Sequence, residues 1–151
     1  KPECVTLNLA AKDKNTAIEE LAKLLGKGGI VKSLDQFIQA VNERENLTTT
    51  AVGFGVAIPH ARSSAVTKPG VAIGRNDGFQ WSSYNDGPIK LVFLLAVPEK
   101  IEGTEYMKIL ASLSRMLVHE EFRESLKKAK DLQEFIAIIT KGKKYLVSQS
   151  N

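Results

Sequence analysis

The sequence predicts an α/β fold: a single three-layer sandwich in which one mixed β-sheet is flanked by helices on both faces. Three observations predict it. Apolar residues recur at helical spacing in the first and last thirds of the chain, while the middle alternates and is punctuated by turn signals. Between these, Leu91 to Val97 is apolar without interruption, the mark of a central strand covered on both faces.

Taken in order, Val5, Leu7 and Leu9 alternate with polar partners and predict a short strand. A helix follows, opened by the capping-box spacing of Thr16 and Glu19, with Ile18, Leu21, Ala22 and Leu25 on one face. Gly26, Gly28 and Gly29 end it. Ser33, with Gln36 three residues on, opens a second helix whose buried stripe is Leu34, Phe37, Ile38 and Val41, leaving Arg44 near its end. Thr48 to Gly55 reads as a polar, glycine-bearing loop. Val56-Ala57-Ile58 is a short strand stopped by Pro59. After another loop, Val71 to Ile73 is strand-like. Asn76-Asp77-Gly78 signals a turn, with Phe79 and Trp81 alternating beyond it, and Asn85 to Pro88 signals another. Pro98 ends the apolar strand. Helices close the chain: Met107, Leu110, Ala111, Ser114 and Leu117 form one face, and Phe122, Leu126 and Ala129 another. Asp131 and Glu134 have capping-box spacing ahead of Phe135, Ile136 and Ile139. The tail from Lys141 onward reads as surface or loosely held.

The 151 residues fit one domain, 1–151. At 43% hydrophobic and 25% charged, the chain can bury a core without disulfides or metals. The net charge of +4 invites a nucleic-acid reading, but the basic stretch Lys127-Lys128-Ala129-Lys130 sits beside Glu121, Arg123 and Glu124. Mixed charge of that kind is a solvated helix face. The one cysteine, Cys4, excludes a disulfide framework and reads as a residue at the start of a strand. No apolar run has the length of a membrane span, and no secretory signal is visible. A cytoplasmic location is expected. The chain opens without Met, as a trimmed or excised domain would.

His60 is the most informative residue. It follows Ile58-Pro59, and the proline stiffens the backbone before it. A histidine so placed can hold one ring nitrogen on a backbone carbonyl and present the other as a nucleophile. By position alone, a histidine after proline is more often a loop residue. Two histidines and one cysteine are too few for a structural zinc site. Gly53-Phe54-Gly55 lacks the third glycine of a dinucleotide fingerprint, and no Walker loop or Gly-x-Ser-x-Gly elbow exists. His119, between two helical patterns, reads as a boundary residue.

The string Gly53-Phe54-Gly55-Val56-Ala57-Ile58-Pro59-His60 resembles the phosphorylation-site signature of fructose/mannitol-class enzyme IIA domains of the sugar phosphotransferase system. Arg44-Glu45 followed by Thr50 resembles the family's Arg-Glu pair and threonine. Val92 to Glu99 resembles its central strand ending in Pro-Glu, and Leu110 to Arg115 and Glu121-Phe122-Arg123 its later helices. The resemblance spans roughly residues 5 to 140.

The resemblance implies a phosphotransferase activity. The chain would accept a phosphoryl group from phosphorylated HPr on His60 and pass it to a IIB domain, usually onto a cysteine. The membrane IIC domain would be reached only indirectly. Arg44 would neutralise phosphoryl charge, since a guanidinium forks onto phosphate oxygens, and Thr50 would supply a nearby hydroxyl. No metal or cofactor is implied, because the donor's phosphate is already activated. Where many members carry a second histidine, alignment puts Tyr106, a poor proton partner near neutrality. That departure keeps an alternative open: a regulatory IIA-like domain whose phosphorylation state controls a transcription regulator or another partner. The sugar is not legible, because IIC contacts it.

Overall fold

The computed structural model describes residues 4–81 and 87–142. Two compact units follow each other along the chain, Lys1–Ile101 and Glu102–Asn151. The first contains β1 (Val5–Thr6), α1 (Lys14–Lys27), α2 (Leu34–Leu47), β2 (Ala51–Gly53), β3 (Val56–Ala57), β4 (His60–Ser63), β5 (Gly70–Phe79) and β6 (Ile89–Pro98). The second contains α3 (Gly103–Leu117), α4 (Glu120–Lys128) and α5 (Leu132–Gly142). The α/β class and the mixed sheet are as the sequence predicts.

The sheet runs β1-β5-β6-β3-β2, with β4 also on β6. β6 is antiparallel to β5 and parallel to β3 and β4, and β1 is parallel to β5. Successive residues of β6 point to opposite faces. Val92, Leu94 and Ala96 join Ala57, Ala61 and Ala72 in the core with Ala17, Ile18, Leu21 and Leu25 of α1 and Phe37 and Val41 of α2. Leu91, Phe93, Leu95 and Val97, on the other face, are buried as well, so this strand is covered on both sides as expected. Burying such a row of large side chains contributes roughly 1.5–3 kcal/mol each.

Local details differ from the sequence reading for identifiable reasons. α1 starts earlier than Thr16, because Asp13 is its cap. The Asp13 carboxylate accepts from the Thr16 N–H and the Thr16 hydroxyl, both at 2.8 Å. Ser33 holds the cap position of α2 but makes no side-chain cap bond, and Gln36 donates instead to Ser64 Oγ. β1 covers two residues, not five, although Leu9 N–H still reaches the Arg75 carbonyl at 2.9 Å. Asn76-Asp77-Gly78 is no hairpin turn. It is an irregularity inside β5, where the register with β6 shifts between Arg75 and Phe79. The Asn76 amide there donates to the carbonyls of Leu9 and Ala11, and Asn76 Oδ1 accepts from Gly78 N–H. The turn signal at Asn85 and Asp86 lies outside the described residues, as does the tail beyond Gly142.

In the second unit His119 caps α4, the boundary place its sequence context predicts. Arg123 is buried, and its guanidinium donates to the Leu117 carbonyl at 2.7 Å, closing the end of α3. Asp131 accepts from Glu134 N–H at 2.8 Å, while Glu134 reaches back to Lys130 N–H rather than to Asp131 itself.

Candidate functional site

β3 and β4 keep one register along β6. Val56 pairs with Leu91, Ala57 with Val92, His60 with Leu95 and Ala61 with Ala96. Pro59 therefore interrupts the strand without shifting it. Proline has no N–H to offer, but its carbonyl accepts from Leu95 N–H at 3.0 Å, so only the donor half of that step is lost. On the outer side, Ile58 N–H donates to the Thr50 carbonyl at 3.0 Å, and β2 pairs no further. The strand expected to stop at Pro59 in fact resumes at His60.

Alternation then decides where His60 points. Ala57 and Ala61 enter the core with α1 and α2, so His60 stands on the other face of the strand. It is 6% exposed. Its Nδ1 lies 2.8 Å from the Ile58 carbonyl oxygen. A carbonyl only accepts, so the neutral ring carries its proton on Nδ1 and its lone pair on Nε2. Burial holds the imidazole below its usual value of 6.5. The Ile58 carbonyl works against that shift, Arg44 adds to it, and Glu45 opposes it. The net direction favours the neutral, nucleophilic ring.

Arg44 and Glu45 lie in the last turn of α2. Arg44 is half-buried and donates to the Thr48 carbonyl at 3.0 Å. Glu45 is buried, and three neutral donors converge on it: Thr50 N–H at 3.0 Å, the Thr50 hydroxyl, and the Trp81 indole N–H at 3.0 Å. Thr50 is buried too, its carbonyl accepts from Ile58 N–H, and Arg44 acts electrostatically on the His60 ring. While Glu45 is ionised, the single Thr50 hydroxyl proton is donated to it. Glu45 and Trp81 were not singled out as site residues. A signal for Glu45 existed, since it follows Phe37 and Val41 at four-residue steps on the buried stripe of α2.

The β2–β3 connection has three successive positive φ values: Gly53 at 93°, Phe54 at 61° and Gly55 at 77°. A two-residue turn of this hand favours Asn-Gly, and a bulky residue at its first position is strained. Phe54 is nonetheless 65% exposed, and Leu47 and Val52 nearby in sequence are exposed as well. Tyr106 belongs to the other unit. It lies in the first turn of α3, half-buried, with its backbone N–H on the Glu102 carbonyl at 2.9 Å. Among the described residues, no group of three or more His, Cys, Asp or Glu could hold a metal ion. No described helix is long and apolar enough to cross a membrane.

Residues 1–142 match the family model "Phosphoenolpyruvate-dependent sugar phosphotransferase system, EIIA 2". The chain is 41% identical over 132 residues to the PTS system fructose-specific EIIA component of Haloferax volcanii, covering 87% of this chain and 85% of that one. It is 34% identical to the fructose-specific EIIABC component of Bacillus subtilis, covering 93% of this chain but 22% of that longer protein. Among solved structures, the nitrogen regulatory protein IIA-Ntr of Neisseria meningitidis superposes with a TM-score of 0.80 at 27% identity, over 91% of this chain and 94% of that one. The IIA mannitol domain of Escherichia coli superposes at 0.77 and 28%, over 91% and 96%. A complex of that enzyme IIA with phosphorylated enzyme IIB gives 0.78 and 27%, over 91% and 94%.

Proposed function

This chain belongs to the EIIA 2 family of the phosphoenolpyruvate-dependent sugar phosphotransferase system, and on that premise we propose that His60 accepts a phosphoryl group from HPr and hands it to a IIB domain. The observation that carries the reading is the His60 Nδ1 contact with the Ile58 carbonyl, which assigns the lone pair to Nε2. In the acceptor step that pair attacks phosphorus as the donor's P–N bond breaks, and the breaking bond's electrons return to the donor ring. Nδ1 keeps its proton, so the product ring is a phosphorylated imidazolium. In the next step a IIB cysteine thiolate attacks phosphorus, the P–N electrons return to Nε2, and the ring is neutral again.

Arg44 offers the equatorial oxygens a permanent cation. Thr50 frames the site, and Tyr106 takes the place of the second family histidine, able to donate a hydrogen bond to phosphate. The transfer calls for no metal or nucleotide, because the donor's phosphate is already activated. Residues 1–151 work as one IIA-like unit in the cytoplasm, where HPr and IIB meet it. A relative solved in complex with phosphorylated IIB supports the acceptor, and relatives called multiphosphoryl transfer proteins support a donor of the HPr kind.

The match to a nitrogen regulatory IIA favours a second reading, in which phosphorylation state controls another protein. One experiment tests the carrier: incubation with enzyme I, HPr and phosphoenolpyruvate, followed by intact mass. The parent should gain one phosphate and His60→Ala none. A parent that gains none, with an HPr active on another IIA, overturns the reading. Onward transfer to a IIB domain then separates transport from regulation.

A further inference from the structure

We propose that Glu45 is a positioning residue that keeps the phosphoryl group on His60 ready to leave, an inference that rests on the carrier reading above. A chain of hydrogen bonds joins the two residues. The Trp81 indole and both Thr50 donors hold the Glu45 carboxylate, the Thr50 carbonyl holds Ile58 N–H, and the Ile58 carbonyl holds His60 Nδ1. Glu45 thus fixes the strand end that orients the ring.

Hydrogen bonding alone does not require a charge here. A glutamine amide oxygen could accept from Thr50 N–H and from the indole, and its NH2 could donate to Thr50 Oγ1. Among the described residues the carboxylate makes no ion pair: the three donors it accepts from are neutral, and the adjacent Arg44 turns to the Thr48 carbonyl. A buried charge held this way is costly, so its presence asks for a reason beyond packing. Its effect on His60 supplies one, because Glu45 and Arg44 act on the ring with opposite signs.

Once phosphorylated, the site carries a cationic ring and an anionic phosphoryl group. Glu45 favours the Nδ1-protonated ring, so that the group leaving phosphorus is a neutral imidazole and not an imidazolide anion, and it repels the phosphoryl oxygens; both effects ease departure of the phosphoryl group. It also engages the Thr50 hydroxyl proton, which could otherwise stabilise a phosphoryl oxygen. Neutralising Glu45 removes all three effects and should make the phosphohistidine longer-lived.

The test compares phosphorylated parent, Glu45→Gln and Glu45→Asp after the donors are removed, following loss of phosphate by intact mass. In this hydrolysis water attacks phosphorus, the P–N pair returns to Nε2, and inorganic phosphate leaves. Glu45→Gln should extend the lifetime by about three- to tenfold, the scale of a buried unit charge near a titrating ring. Glu45→Asp, which restores the charge, should return it toward the parent value. If Glu45→Gln does not fold, the double variant Glu45→Met, Trp81→Phe carries the same expectation, since removing a buried charge together with its donor costs less than stranding one. A lifetime in the neutral variant equal to or shorter than the parent's overturns the proposal and leaves the carrier reading intact. A parent that takes no phosphoryl group overturns both, and the fault then lies in the carrier reading.

Discussion

The Nδ1 atom of His60 lies 2.8 Å from the carbonyl oxygen of Ile58, two residues back across Pro59. One short contact sets which nitrogen holds the proton and which can attack. The ring's tautomer is therefore written into backbone geometry.

Stability should report on the same ring. His60 titrates below 6.5 in the fold, mainly because it is buried. The unfolded chain binds its proton more readily, so stability is full above the unfolded value and falls as pH drops from about 6.5 toward the folded value. Urea unfolding across that window should show this slope in the parent and a flatter line in His60→Gln. An upward shift of the ring resonance in an NMR titration would contradict it.

Arg44→Gln should slow phosphorylation by phospho-HPr about 10- to 100-fold, the worth of one charge-assisted hydrogen bond to the moving phosphoryl group. Arg44 also holds the ring pKa down, so the same variant should raise it. Arg44→Lys should recover the ring titration better than the transfer rate, because lysine keeps the charge but loses the fork.

Phe54→Asn should stabilise the protein. It puts the preferred residue at the first position of a strained turn and relieves about 1 kcal/mol, or about 2–4 °C in Tm for a chain of this size. If the exposed ring is a docking contact, transfer to IIB slows in the same variant. A lower Tm would mean that the ring packs in a way its exposure does not reveal.

Trp81→Phe should cost about 1–3 kcal/mol in urea unfolding, because it removes one of the two donors to Glu45 Oε2 and leaves that oxygen of a buried carboxylate with Thr50 N–H alone, while keeping the aromatic volume. The remaining ring still meets Phe79, whose centroid is 5.9 Å away. A cost near zero would place water on Glu45.

Most elements of the first unit were legible because their signals are local. Helix stripes and the apolar run of β6 announce themselves within a dozen residues, whereas Ala51–Gly53, which reads as loop, is the strand β2. The sequence points to His60 through its motif, and to Arg44 and Thr50 through their place in the same resemblance. What escaped depended on a distant partner. Asn76-Asp77-Gly78 has the chemistry of a hairpin turn, and only the run of β5 alongside β6 makes it an irregularity. Pro59 reads as a stop, yet β6 continues past it and recruits His60 to Ser63 in the same register. Asp13 outcompetes Thr16 as a cap by sitting three residues earlier. Glu45 is legible as half of the Arg-Glu pair, but its burial under Trp81, thirty-six residues on, is not.

The unbroken register of Val56 to Ser63 along β6 has an evolutionary consequence. The interval between Val56 and His60 is held by that register. One inserted or deleted residue there would exchange the two faces of the strand, turning the histidine into the helix-packed core and an alanine out in its place. The spacing of the motif is thus counted by the pleat, and lineages that lengthen this domain must do so on either side of it.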